Sequence, residues 1–118
     1  MAQYLALGAQ GENLAADYLR TAGLDIIARN WRCRFGELDV IAREGDITAF
    51  IEVKTRRNLT CGRPEEAVTF LKQQRIRALA RHWLHEHPGP FQRVRFDVVS
   101  IILRPGRPPE ILHLKAAF

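Results

Sequence analysis

Gly36-Glu37-Leu38-Asp39-Val40-Ile41-Ala42-Arg43-Glu44-Gly45-Asp46-Ile47-Thr48-Ala49-Phe50-Ile51-Glu52-Val53-Lys54-Thr55 is the stretch on which the fold turns. Two apolar runs flank Arg43-Glu44-Gly45-Asp46, a turn signal. The stretch therefore reads as a β-hairpin, with strands from Glu37 to about Ala42 and from Ile47 to Thr55. Side chains alternate along a strand. Glu37, Asp39 and Ile41 are expected on one face, and Phe50, Glu52 and Lys54 on one face of the partner strand. A two- or four-residue turn puts Asp39 on the same side as Glu52. In the register that pairs Glu37 with Glu52, Asp39 is the diagonal neighbour, its Cα about 7–8 Å away. Two carboxylates that close can share one divalent cation.

The surroundings of these acids are apolar. Ile51 and Val53 flank Glu52, and Val40 and Ile41 follow Asp39. Burying a charge without a partner is expensive. Lys54 could neutralise one carboxylate, which leaves Asp39 in need of a partner. A hard cation such as Mg²⁺, with Mn²⁺ as substitute, would use the carboxylates and keep waters for a phosphate substrate. The competing reading is a partly buried Glu52–Lys54 ion pair beside a solvated Asp39.

Working outward, a periodic apolar segment from about Leu7 to Ala22 reads as a helix, stopped by Gly23. Glu12 falls on or beside its apolar face. It could approach the same metal, or it could serve the helix dipole and point outward. Leu24 to Trp31 reads as a strand. After a polar stretch, Pro64 suits the first position of a long helix, with Glu65 and Glu66 near its positive end. Ile76, Leu79, Ala80 and Trp83 give that helix its apolar stripe, and His87-Pro88-Gly89-Pro90 ends it. Lys72, with Gln73 beside it, precedes Ile76 by one turn. It could reach the acids and touch a phosphate, or its stem could pack while its amine stays in water. Phe96 to Leu103 is a further strand, and Ile111 to Lys115 a short edge strand. The order α-β-β-β-α-β(-β) predicts a three-layer α/β fold, a mixed sheet flanked by helices, in a single domain over residues 1–118.

The 118 residues hold 18 Lys and Arg against 13 Asp and Glu, a net charge of +5 and a pI near 9.9. A basic domain of this size suits a polyanion, since phosphate contacts release counterions. Arg32 and Arg34 precede the hairpin, and Arg56 and Arg57 follow it. With Lys72 and Gln73 they form the candidate nucleic-acid contacts. Phe35 and Trp31 interleave with the first pair and could stack on an unpaired base, although Trp31 reads better as core. Cys33 and Cys61 form no CxxC pair, and reduced thiols are expected. No apolar run is long enough to span a bilayer, and Met1-Ala2-Gln3-Tyr4-Leu5 lacks the features of an export signal. A cytoplasmic protein is expected. His82, His85 and His87 lack an HExxH pattern and read as solvated.

Gly36-Glu37-Leu38-Asp39-Val40-Ile41 followed by Phe50-Ile51-Glu52-Val53-Lys54-Thr55-Arg56 resembles the PD-(D/E)xK nuclease signature. The whole chain resembles the YraN-like bacterial proteins, an uncharacterised family related to archaeal Holliday junction resolvases. That likeness runs from Gly11-Glu12-Asn13 through Lys72-Gln73 to Arg95-Phe96-Asp97-Val98-Val99. It implies a restriction-endonuclease-like core in which Asp39 and Glu52 bind metal and Lys54 orients water or stabilises the transition state. Glu12 matches the helix acid of the resolvase-like branch. Asp97 matches the pattern without an implied role, and Leu38 stands where the signature has proline. The expected function is metal-dependent endonucleolytic hydrolysis of phosphodiester bonds, on DNA in preference to RNA, with branched and linear substrates both open, by a homodimer. The alternatives are a non-catalytic nucleic-acid-binding module with the same fold, and an interaction protein with no nucleic-acid role.

Overall fold

The computed structural model describes residues 2–90 and 93–118, with side chains from residue 6 onward. Met1, which opens the segment examined for an export signal, lies outside the described residues. Helix α1 spans Ala2–Thr21, and strands β1, β2 and β3 span Asp25–Cys33, Gly36–Glu44 and Ile47–Arg56. Helix α2 covers Phe70–Glu86, and strands β4 and β5 cover Arg93–Ile102 and Glu110–Leu114. The expected order is present, with the first helix starting before Leu7 and the fourth strand before Phe96.

Gly23 ends α1 with φ +94°. Its amide bonds Arg20 O and the Leu24 amide bonds Leu19 O, the paired bonds of a Schellman stop. The start of the second helix differs from expectation. Pro64–Ala67 is a separate 3₁₀ turn, and α2 begins only at Phe70, with Thr69 as its cap. The reason lies at Val68, which is buried and takes a non-helical conformation that turns the chain into the core. Thr69 Oγ1 then accepts the Lys72 amide at 3.3 Å. Glu65 does not serve a helix dipole. Its carboxylate accepts from Arg63 and from Ser100, both at 2.8 Å.

The five strands lie in the order β1-β2-β3-β4-β5. Among the described residues only β3 and β4 are parallel, because the chain between them makes the crossover that contains α2. The β2–β3 turn is Gly45-Asp46, with Gly first and at φ +61°, as two-residue hairpins favour. On one side of the sheet Ala15 and Leu19 of α1 pack on Val40, Ala42, Ala49, Ile51 and Val99. On the other, Ile76, Leu79 and Trp83 of α2 pack on Leu38, Ile41, Phe50 and Val98. Two helices thus flank a mixed sheet. Among the described residues, no helix is long and apolar enough to cross a membrane.

One irregularity positions everything that follows. Leu38 and Ile41 are three residues apart, yet both pack on the α2 side, and so do Ala28 and Trp31 of β1. Strict alternation would send one of each pair the other way. The faces switch where Arg29↔Val40 gives way to Trp31↔Leu38, at Asn30 and Asp39, whereas the pairing register itself shifts earlier, between Ile26 and Ala28. Asn30 has φ +52°, a left-handed conformation that Asn tolerates better than most residues. The expected sharing of one face by Glu37, Asp39 and Ile41 is therefore broken. Ile41 faces α2, whereas Glu37 and Asp39 gather with Glu12 of α1.

Candidate metal centre

The β2–β3 register pairs Val40 with Ile51 and Ile41 with Phe50. This corrects the register expected from sequence, since it would set Asp39, not Glu37, opposite Glu52. The ladder ends at Val40↔Ile51, and the strands part there. The Val53 amide, which would have faced Leu38, donates instead to Asp39 Oδ2 at 2.9 Å. A carboxylate has replaced a backbone acceptor, so Asp39 is held in the gap between two inner strands.

Glu12, Glu37 and Asp39 converge there, offering one carboxylate oxygen each with all three within 4.8 Å of one another. Glu12 reaches the gap because α1 passes close to β3: a Cβ on Gly11 would overlap the Thr55 side chain. Glu52, 4% exposed, is a neighbour of Asp39 but is not one of that trio. Its Oε1 is 3.5 Å from Lys54 Nζ and 3.4 Å from Lys72 Nζ. The Glu52–Lys54 ion pair of the competing reading is thus present, and of the two roles open to Lys72 the structure has it reaching across from α2 to the acids.

The electrostatics differ within the cluster. Burial, then the charge of Glu52, pushes the Asp39 carboxyl up to about 7, against the opposing bond from the Val53 amide. Burial and the nearby Glu37 raise Glu12 as well, with Arg29 acting the other way. Acids that resist ionisation because they are buried and then because they crowd one another are the arrangement a cation would relieve. Three carboxylate oxygens form a hard donor set, suited to Mg²⁺ or Mn²⁺ and unlike the Cys and His sets of structural zinc. Metal–oxygen bonds of about 2.0–2.1 Å place the oxygens of one shell roughly 3–4 Å apart, so small rotations would bring these groups into one shell.

The other expected contacts divide. Arg32 Nε donates to Glu37 Oε2 at 2.7 Å, and Arg34 lies over the Phe35 ring. Arg56 lines a recess beside Glu12, Lys54 and Thr55, and Arg57 is exposed. Gln73 turns away: its amide donates to Val68 O at 3.2 Å. Trp31 packs half-buried, as expected of a core residue. His82 lies 3.0 Å from Glu86, and His87 bonds Trp83 O, so they serve α2 and gather no metal set.

Sequence reasoning left Glu37 out of the ligand set. Its signal was its i, i+2 spacing from Asp39, which puts both acids on one face. It also assigned no role to Asp97, which is fully buried and bonded by Arg95, His113 and the Ala116 amide.

These elements define an α/β domain whose sheet opens between two inner strands to gather four carboxylates and two lysines. Residues 11–101 match the profile of the uncharacterised protein family UPF0102, and the chain belongs to that family. It is 65% identical over 113 residues to a UPF0102 protein of Nocardia farcinica, covering 96% of this chain and 89% of that one. It is 59% identical to one of Rhodococcus opacus over the full length of both. A relative from Mycolicibacterium vanbaalenii is 51% identical over 109 residues, covering 92% of this chain and 90% of the relative.

Proposed function

We propose that the chain is a metal-dependent endonuclease of the PD-(D/E)xK type, with a restriction-endonuclease-like core and Mg²⁺ at the gap between β2 and β3. The observation that carries this reading is the convergence of Glu12, Glu37 and Asp39 within 4.8 Å, next to a buried Glu52 that holds two lysines. A structural ion pair accounts for Glu52 and Lys54 but gives no reason to assemble three more acids. Support also comes from the fold, a mixed sheet with a parallel β3–β4 crossover between two helix layers.

Asp39, Glu12 and Glu37 would hold the cation, with Glu52 beside them. When bound, Mg²⁺ supplies Lewis-acid activation of a phosphoryl oxygen and of water. Lys54, half-buried at the mouth of the site, orients the attacking water or offsets charge developing on phosphorus. Lys72, which reaches Glu52 from the opposite helix layer, would meet a substrate phosphate. Arg56 and Arg57 supply backbone affinity without sequence preference. The same reading carries DNA in preference to RNA, a cytoplasmic setting and a two-fold dimer.

The test uses labelled linear, flapped and four-way DNA with Mg²⁺ or Mn²⁺, alongside Glu52→Gln. Wild type should cleave at least one substrate. The variant should lose cleavage while keeping its melting temperature and its DNA affinity in EDTA. Calorimetric titration of Mn²⁺ should show binding that disappears in Asp39→Asn. If wild type binds DNA and cleaves nothing in the panel, the chain is a binding module on a nuclease-like fold.

A further inference from the structure

The β1–β2 hairpin closes with Cys33 paired to Gly36, so its turn is Arg34-Phe35. Two-residue hairpin turns favour Asn, Asp and Gly, which tolerate the backbone they require. Here neither turn residue takes a positive φ, and Gly36, which follows them, supplies that conformation at +148°. Phe35 is 65% exposed, so it does not serve the core. An exposed aromatic ring held at a hairpin tip is available for a task outside the fold.

The surroundings of the ring say what kind of task. The guanidinium of Arg34 lies over it, 4.7 Å from its centroid. The His82 ring meets it edge to face at 6.0 Å, and Trp31 backs His82 at 5.9 Å. Phe35 is thus positioned by aromatic neighbours on α2 and β1, and a planar cation already stacks on it. A planar base would use the same π surface. Arg32, also exposed, reaches from this hairpin to Glu37 of the metal centre. Along an extended strand Phe35 is roughly 7 Å from Glu37 and 13 Å from Asp39. That span is about four nucleotides of a stacked strand at about 3.4 Å each.

We propose that Phe35, with Arg34, is a stacking platform for an unpaired base, and that the site therefore takes nucleic acid with single-stranded character close to the cleaved bond rather than continuous duplex. The proposal rests on the nuclease-site reading for its orientation but not for its test. In a paired duplex the base faces are covered by their neighbours, so the platform has nothing to stack on. In an unpaired strand a base rotates onto Phe35, and Arg34 is left to meet the adjoining phosphate. The preference is for a base face and not for a sequence, because every base has one.

The test measures binding in EDTA, where cleavage plays no part. A single strand carrying 2-aminopurine and a blunt duplex of the same sequence are titrated with wild type, Phe35→Ala, Phe35→Leu and Phe35→Tyr. Phe35→Ala and Phe35→Leu should weaken single-strand binding about 5- to 100-fold and relieve the 2-aminopurine quenching. Duplex affinity should change less than about twofold, and Phe35→Tyr should restore both signals. Leucine keeps apolar bulk without a π face, so retained binding by Phe35→Leu overturns stacking. Equal losses on both substrates, or no loss on either, overturn the platform too. A matching RNA strand shows which polymer supplies the base: Phe35 dependence on either polymer supports the platform, and dependence on neither overturns it. A Phe35 effect in a protein that never cleaves would end the nuclease reading and leave the platform standing.

Discussion

Two clusters of buried acid share this sheet, one where β2 and β3 part and one toward the Gly45 turn, and they are satisfied in opposite ways. Asp97, fully buried, accepts from Arg95 at 2.8 and 3.0 Å, from His113 at 2.8 Å and from the Ala116 amide at 3.0 Å. Arg95 and Lys115 also hold Glu44. Burial alone would raise the Asp97 carboxyl, but bonds from His113, Arg95 and the Ala116 amide keep it below the ordinary carboxylate value. Asp39 has one backbone amide and acids for neighbours, and it is pushed up to about 7. The first cluster is complete as it stands, and it ties β4, β5 and the β2–β3 turn together. In the second, Lys54 and Lys72 hold Glu52 and Arg32 holds Glu37, while Asp39 is held by an amide and crowded by acids, the position a cation would relieve.

Breaking the complete cluster should have the largest effect. Asp97→Ala leaves Arg95, whose side chain is only 13% exposed, with Glu44 in place of two carboxylates and takes the buried His113 side chain's carboxylate away. Removing one partner of a buried pair typically costs about 3–5 kcal/mol. Urea denaturation at pH 7 should show a loss of that order. A loss under about 1 kcal/mol would mean that the two clusters do not differ as described.

Asp39→Asn should do the reverse, and pH reveals it. With a folded value near 7 against an ordinary 3.8, Asp39 binds more protons in the folded chain than in the unfolded one. Its contribution is fully present below about pH 4 and is lost as pH rises through 7. Glu12, also raised, acts in the same direction. In EDTA the wild-type melting temperature should therefore fall between pH 5 and 8. Asp39→Asn should flatten that fall and melt several degrees higher at pH 8. Mn²⁺ at pH 8 should lift the wild type and leave the variant unmoved. Asp97 has the opposite sign: its stabilisation is present above the usual carboxylate range and is lost as pH falls through its lowered value. A wild-type melting temperature that rose from pH 5 to 8 would count against the crowded-acid reading.

What sequence could and could not show follows the same division. The Glu37–Thr55 hairpin was legible because alternation and a Gly-Asp turn are local signals. Asp39, Glu52 and Lys54 were legible because charge in apolar strands is anomalous wherever it occurs. Ile41 was placed on the wrong face because β1 and β2 switch faces at Asn30 and Asp39, and no periodicity reports a single backbone angle. The register slipped for a related reason: it was fixed by the tight Gly45-Asp46 turn, which only the structure shows to be two residues long. Pro64 misled because a strong helix-start signal says nothing about Val68, which tertiary packing turns inward. The Asp97 cluster was invisible as a unit. Its members come from positions 44, 95, 97, 113 and 115, joined only by strand pairing.

The smallest expected effects come from the two lysines on Glu52, and they test whether that acid belongs to the complete kind of cluster or the incomplete kind. Lys54 and Lys72 keep 28% and 39% of their side chains exposed. Ion pairs that wet are worth about 0–1 kcal/mol each. Lys54→Met or Lys72→Met alone should therefore shift stability by less than about 1 kcal/mol, because the other lysine still faces Glu52. The double variant leaves a nearly buried carboxylate beside Asp39 without a counter-charge, so its loss should exceed the sum of the singles by about 1 kcal/mol or more. Mn²⁺ provides the discrimination. If Glu52 works with the metal centre, added Mn²⁺ should replace the missing lysines and remove most of that excess. If Glu52 is only a structural ion pair, Mn²⁺ should leave the excess in place, and Glu52 would belong with Asp97 rather than with Asp39.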